Sequence, residues 1–574
     1  MEGNSPVLTS NYKVTVSTIV NSPGGSFMSV SKAIVLLFAV STLTFLVACG
    51  GSGNGLATGT APPSGAFSDS NLNGPYVFSV SGLDQSGFPY SAVGVFTANG
   101  SGGITAGSID MNDTEFTTPL FDASIGGTST YRVGADGRGT ATLVLPASSS
   151  PFSINVVLDF VLQDSFHGLV IEFDDAVSGS GTLDQQTSGV TPTGSYAFLL
   201  SGNSYSSSGA LALAGNFAVG SGGALTGLED FNEGGTNAYT NQTLTGTLIV
   251  GPSTTPTTTI SNPLTAALQT YDVFAIDASH LKIIEMDTFA TLSGDAYSQT
   301  SATMPVGAMA FTLFGNNLSG LLATGGFMVT DVSGNITSAS SEDYNSAAGV
   351  SAAAGSFTGT YAGSAGRYTL GSFANFVGGS SYAAYPSSGG VLLLEIDTTG
   401  LTAGAAYPQT GMTFAASQGY GLNLTGVNLG AVTGEGTGSD EEVDDIAEFT
   451  ANSGGTVTGV IDENYSPSGG PNPALELITS SSSYGSIDAT GRYGLSVGNG
   501  NSNNSTLNGG FNLVLYSVDG VTFPFIEADS SQVATGVIIE QNAAATTPFA
   551  AKAHSMFIPR PIVVPRMAKQ KKQN

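Results

Sequence analysis

Four pairs of acids recur along the chain with one residue between the members of each: Glu172 and Asp174, Glu285 and Asp287, Glu395 and Asp397, Glu527 and Asp529. On an extended strand, side chains two apart share a face, so each pair projects two carboxylates together. Hard oxygen donors in that arrangement suit calcium. The Asp-x-Asn elements of the same segments (Asp110 and Asn112, Asp230 and Asn232, Asp343 and Asn345, Asp462 and Asn464) offer further ligands. Two neighbouring carboxylates could also act as the acid and the nucleophile of a glycosidase. A catalyst needs one tuned site, whereas this motif occurs four times with similar neighbours, as a requirement of the fold would. The third reading is therefore a polar network in which the acids accept backbone or Tyr hydrogen bonds. Asp-x-Asn at the end of a hairpin strand is by default a turn former.

Other chemistry is sparse. His167 and His280 each stand five residues before the Glu of a pair, where the other two segments have Gly390 and Thr522, so this is a turn position; His554 is near the C-terminus. The sequence has no P-loop, no His-Glu-x-x-His and no cysteine pair, and its Gly-x-Gly strings do not sit between a strand and a helix. The densest acidic run, Asp440 to Asp445, reads as a solvated loop inserted in the last segment. These observations imply a non-enzymatic protein, with calcium the one cofactor the residues allow.

Cys49 is the one cysteine. It follows Lys32, an apolar run from Ala33 to Phe45, and the ending Leu46-Val-Ala-Cys49. The run is short for a membrane span of about 20 residues and suits a signal-peptide core. Its ending resembles a bacterial lipobox, which implies cleavage before Cys49 and a diacylglycerol on its sulfur. Residues 1–48 are thus a signal peptide, with translation starting at Met1 or Met28. Residues 49–70 are the lipidated cysteine and a Gly/Ser/Thr/Pro-rich tether. The expected location is the cell envelope, with the protein anchored by lipid to the outer membrane on its periplasmic or outer face.

Between Gly50 and Ala551 lie 41 acids and five bases (Arg132, Arg138, Lys282, Arg367, Arg492), a net charge of about −36. Such a body repels nucleic acid. The tail, residues 546–574, is instead basic and contains Pro559, Pro561 and Pro565, the composition of a solvated segment.

Positioning all of this is a repeat. An opening strand occurs as Gly74-Pro-Tyr76-Val-Phe78, Gly194-Ser-Tyr196-Ala-Phe198, Gly307-Ala-Met309-Ala-Phe311 and Gly419-Tyr420-Gly-Leu422, each closing on a glycine (Gly82, Gly202, Gly315, Gly426). A hairpin follows, Phe96 to Asn112 in the first copy and Phe449 to Asn464 in the fourth, with looser versions between. A second hairpin, Tyr131 to Leu143, recurs around Arg367 and Arg492 but is lost from copy two. After each acid pair comes a Gly and, five residues on, a Gln: Gly181 and Gln186, Gly294 and Gln299, Gly404 and Gln409, Gly536 and Gln541.

The pattern predicts an all-β protein of four tandem antiparallel meanders, residues 71–190, 191–305, 306–415 and 416–545, of about eight strands each. Each closes as a small up-and-down barrel or, alternatively, stacks as a two-sheet sandwich. The blocks resemble the uncharacterised repeat lipoproteins of soil acidobacteria, a group whose resemblance implies surface location and no chemistry. The functional expectation is a surface spacer or adhesion module for a glycan or surface protein. The alternative is a small-ligand or glycan binder whose barrels are lined by aromatics such as Tyr76, Phe78, Tyr196 and Phe198; an extracytoplasmic hydrolase ranks last.

Overall fold

The computed structural model describes residues 60–545, apart from 115–117, 147–153, 188, 206–208, 235–236, 250–256, 262–267, 430–440, 467–469, 499–510 and 531. The expected signal peptide, Cys49, most of the expected tether and the basic tail lie outside these residues. Within them, regular structure is β-strand apart from two single-turn helices, Asp69–Asn71 and Ser221–Gly223, and no helix is long and apolar enough to cross a membrane.

The strands form four antiparallel sheets. Repeat 1 runs from Asn73–Asp84 to Val177–Gln185, repeat 2 from Gly194–Ser204 to Ala290–Ser298, repeat 3 from Gly307–Asn317 to Gly400–Pro408, and repeat 4 from Gln418–Asn428 to Gln532–Glu540. Repeats 2, 3 and 4 are closed eight-stranded barrels in meander order, so the barrel and not the sandwich is the architecture. Repeat 1 has nine strands instead of eight. Where the other repeats have one long fourth strand (Asn237–Ile249, Gly349–Ser364, Gly470–Tyr484), it has two short ones, Leu120–Ser124 and Thr130–Val133. These form the two edges of its curled sheet, and a single bridge between Gly103 and Thr130 links the sides.

In every repeat the last strand pairs with the first. The repeated glycines allow this approach. A Cβ on Gly181, Gly294, Gly404 or Gly536 would lie 1.7, 2.1, 2.0 or 2.1 Å from the carbonyl oxygen of Ser79, Leu199, Thr312 or Asn423 on the opening strand. Any larger residue would force the two strands apart.

Alternation along the opening strands sends one set of side chains into the barrel and the other set outward. In repeat 2, Tyr196, Phe198 and Leu200 join the barrel core, while Ala197 and Leu199 belong to an apolar cluster shared with neighbouring repeats. Both faces are buried, which explains strands that read as continuous apolar runs rather than alternating ones.

Outward faces meet in a cyclic order. The first three strands of repeat 1 pack on the last three of repeat 2; repeat 2 packs in the same way on repeat 3, repeat 3 on repeat 4, and the first strands of repeat 4 return to the last strands of repeat 1. The same head-to-tail contact used four times closes on itself, giving a ring of four β-domains. The acidic run of repeat 4 departs from the loop expectation: Glu441–Ala451 is a strand, with Glu442, Asp444 and Asp445 buried. Glu442 and Asp444 face repeat 1, and Ser178 donates to Asp444 at 2.6 Å. A carboxylate spacing that reads as solvated when the strand is taken alone is here half of an interface.

Candidate functional site

The four Glu-x-Asp pairs sit at the ends of barrel strands, and their two members do different work. Glu172, Glu285, Glu395 and Glu527 are each at most 2% exposed. Burial raises the carboxyl of all four, that of Glu395 to about 8, and so favours the neutral form. The Asp members stand one or two residues past the strand and accept backbone amides. Asp174 takes the N–H of Ala176 at 2.8 Å and of Val157 at 3.2 Å, and Asp287 that of Thr270 at 2.7 Å and of Phe289 at 2.8 Å. Asp397 takes those of Ser380, Ser381 and Thr399 at 2.6, 2.9 and 2.7 Å, and Asp529 that of Asn512 at 3.0 Å. These bonds staple the preceding strand to the turn. A cation at such a pair would have to displace the amides that the Asp accepts and work against the burial that disfavours an ionised Glu. Among the described residues no group of three or more His, Cys, Asp or Glu stands where it could hold a metal ion.

The Asp-x-Asn elements reach into the next repeat. The Asn112 side-chain amide donates to the carbonyls of Glu285 (2.7 Å) and Ala290 (3.0 Å), spanning the turn that carries the acid pair of repeat 2. Asn232 does the same to Glu395 and Gly400 at 2.8 and 2.9 Å, Asn345 to Asp529 and Gln532 at 2.8 Å each, and Asn464 closes the ring on Glu172 and Val177 at 2.7 and 2.8 Å. All four are buried. The two repeated motifs are thus halves of one contact between neighbouring repeats.

The repeated Gln is a second link of the same kind. Gln299 donates to Gly366 and Pro386 of repeat 3 at 3.0 and 2.9 Å, and Gln409 to Thr490 and Ser517 of repeat 4 at 2.8 and 3.0 Å. Gln541 donates to Asp136 and Leu162 of repeat 1 at 2.9 and 3.0 Å, and Gln186 to Ala275 of repeat 2 at 2.8 Å.

The Asp of each Asp-x-Asn lies at a β-bulge, where the register jumps across it. In the first three repeats its carboxylate accepts the amide of a left-handed residue on the adjoining strand: Asp122 at 2.6 Å, Asn241 at 2.8 Å, Ala354 at 2.9 Å. The bulge aims the other carboxylate oxygen at the next repeat. There Arg367 grips Asp230 with two bonds of 2.7 and 2.6 Å, and Arg492 grips Asp343 with two of 2.8 and 3.0 Å. Arg138, 1% exposed, bridges Asp136 and Asp462 at 3.0 Å each. Tyr385 and Tyr516 add hydroxyl bonds to Asp230 and Asp343. Repeat 2 has lost this Arg, so Asp110 meets another acid, Asp272; burial, then that neighbour, raises Asp110 to about 8. The base at this junction is elsewhere: Lys282 of repeat 2 lies 3.7 Å from Asp184 of repeat 1 and 3.0 Å from its own Asp295.

Of the remaining residues singled out in the sequence, Tyr76, Phe78, Tyr196 and Phe198 are barrel core, the Tyr76 hydroxyl donating to the Ser165 carbonyl at 2.7 Å and that of Tyr196 to Ala278 at 3.0 Å. His280 is buried at a strand start, 2.8 Å from Asp295 and stacked on Tyr297, and His167 lies 3.3 Å from Asp164. Glu229 was missed. It follows Leu228 in the strand Ala224–Glu233 and points into the repeat 2 barrel, where a void lies among Phe198, Leu200, Leu213, Tyr271 and Ile283. An acid next to the Asp of Asp-x-Asn, on the face that must turn inward, was the available signal.

No family model matches the chain, and no curated protein does. Among solved structures, isotype 1 transferrin-binding protein B from serogroup B Neisseria meningitidis is similar at 9% identity over 65% of this chain and 83% of that one, with a TM-score of 0.16. A superposition that poor carries no argument about fold or role.

Proposed function

We propose that the protein is a non-enzymatic envelope lipoprotein, held at the outer membrane by an acyl group on Cys49, whose ring of four repeats is a rigid binding module for a glycan or a surface protein. The same reading makes it kin to the soil acidobacterial repeat lipoproteins. One observation carries its non-enzymatic half: the Asn, Gln, Arg and acid-pair landmarks that recur through the sequence are engaged in holding repeat to repeat or strand to turn. Residues tied up in this way are not free for catalysis. A ring also suits presentation of a fixed surface better than it suits reach, which falls to the tether after Cys49.

The test joins anchoring to display. Cys49→Ser should move the protein from the membrane fraction to the soluble fraction and abolish incorporation of labelled fatty acid, while protease shaving of intact cells and a glycan array report exposure and ligand. Unchanged membrane partition of the Cys49→Ser protein would remove the anchor. A second reading, a small ligand held inside a barrel, is favoured by the space beside Glu229 in repeat 2.

A further inference from the structure

One strand position, immediately before the Asp of Asp-x-Asn, faces the interior of every repeat. It holds Ile109 in repeat 1 and Ile461 in repeat 4, both packed in the apolar core. In repeats 2 and 3 it holds an acid, Glu229 and Glu342.

The two acids are treated differently. Glu342 is satisfied within its own repeat: Thr324 donates its hydroxyl to Oε1 at 2.6 Å, and the Val377 amide donates to Oε2 at 2.9 Å. Phe373 and Phe376 pack against each other in the same barrel interior at a centroid distance of 4.8 Å, and Glu342 does not line the space they leave. In repeat 2 the strand register puts Leu213 where repeat 3 has Thr324, so the hydroxyl donor is gone. Glu229 is 2% exposed, and its Oε1 has no hydrogen-bond partner. The void it faces is lined otherwise by Phe, Leu, Val, Ile, Pro and Tyr side chains, the apolar surround typical of a small-molecule site. A buried carboxyl oxygen without a donor costs about 1–3 kcal/mol, a cost that a ligand bringing a donor would offset.

We propose that the interior of the repeat 2 barrel binds a small, elongated apolar molecule carrying one primary amine, with the hydrocarbon among Phe198, Leu200 and Leu281 and the ammonium donating to Glu229. The inference rests on the second reading above and adds to it the site and the ligand class. An amine is chosen over a carboxylate because the lining offers an acid and no Lys, Arg or His, in a chain of formal charge −29. It is chosen over an alcohol because a charge-assisted bond in an apolar pocket is about twice as strong as a neutral one. Burial lifts the Glu229 carboxyl to about 7, so an incoming ammonium finds it ionised at pH 8 and protonated at pH 5.5.

Calorimetric titration of the full chain carrying Cys49→Ser, in detergent-free buffer at pH 8, with octylamine, octan-1-ol and octanoate as probes, tests this. Octylamine should bind at least tenfold more tightly than the other two and weaken at least threefold at pH 5.5. Glu229→Gln should lose at least tenfold in octylamine affinity, and Glu342→Gln should lose nothing. Octanol or octanoate binding as well as octylamine overturns the ligand class while leaving the barrel a ligand site. Failure of all three probes overturns the site as well. Octylamine affinity that is indifferent to Glu229→Gln overturns the assignment of the carboxyl. If Glu229→Gln does not fold, by circular dichroism, Leu200→Trp fills the space with the acid kept, and octylamine binding that survives it overturns the proposal equally.

Discussion

The junction of repeats 1 and 2 and that of repeats 2 and 3 share the buried Asn clamp and the Gln link, yet they manage charge in opposite ways. Between repeats 2 and 3, Arg367 neutralises Asp230 with two short bonds. Between repeats 1 and 2 the corresponding Asp110 faces Asp272 and must hold a proton to stay buried. The apolar contacts differ in the same sense. The later junctions merge into one continuous cluster from repeat 1's Val161 to repeat 4's Ile539, while Val77, Val93, Val95, Phe274, Ile276, Ile284 and Met286 form a patch of their own. Loss of one hairpin arginine from copy two thus changes the electrostatics of a surface formed with copy one. The geometric part of the contact survives because it is built on backbone carbonyls, which substitution does not remove.

The sharpest way to break this comparison is at the most buried cation. Arg138→Ala strands Asp136 and Asp462 away from water, and burial already raises Asp159 beside them to about 8. We expect a loss of about 3–5 kcal/mol in urea unfolding, the scale for one partner removed from a buried ion pair. Arg367→Ala, at a partly exposed site, should cost less. The reverse order would mean that burial does not set the worth of these links.

The second effect is on pH. A buried acid whose folded pKa exceeds its unfolded value binds more protons when folded, so stability falls as pH rises from about 4, the unfolded value, through the folded pKa, and levels off above it. Asp110 at about 8, Glu395 at about 8 and Asp444 at about 7 all act in this direction. The protein should therefore melt at a higher temperature at pH 5 than at pH 8. Asp110→Asn should stabilise it at pH 8 by roughly 1–3 kcal/mol and flatten part of the profile. A melting temperature that climbs between pH 5 and pH 8 would show that these carboxyls are ionised in the fold.

The smallest effect tests what the junctions share. Asn112→Ala and Asn232→Ala each leave buried carbonyls without a donor, and each should cost about 1–3 kcal/mol. Urea midpoints that fall equally for the two would show that the clamp does not depend on the arginine; a much larger fall for Asn232→Ala would couple them.

Much of the fold was legible. Tyr76, Tyr196, Met309 and Tyr420 opened barrels because the period-2 pattern and the glycines at turns and closures are local signals. The acid pairs were legible as structural because four equivalent copies argue against one tuned site. Their partners were not, since Asn112 and Glu285 lie 173 residues apart and no spacing within a copy reveals a contact between copies. The same blindness made a loop of Glu441 to Asp445, whose burial depends on a surface of repeat 1. Glu229 carries a sequence signal, an acid beside the Asp of Asp-x-Asn on an inward face, but what sets it apart from Glu342, the lack of a partner for Oε1, shows only in the fold.

Four-fold closure leaves no repeat at an end. Stacked-repeat proteins ordinarily carry modified terminal units whose outer face is made polar. Here the faces of repeat 4 and repeat 1 that meet bury apolar side chains such as Ile446, Val161 and Ile171 together with complementary polar groups, and each covers the other. Prise that contact open and the molecule becomes a strip with complementary sticky ends, able to add the next molecule head to tail without limit. The carbonyls that accept Asn464 and Gln541 therefore guard against filaments as much as they hold a fold together.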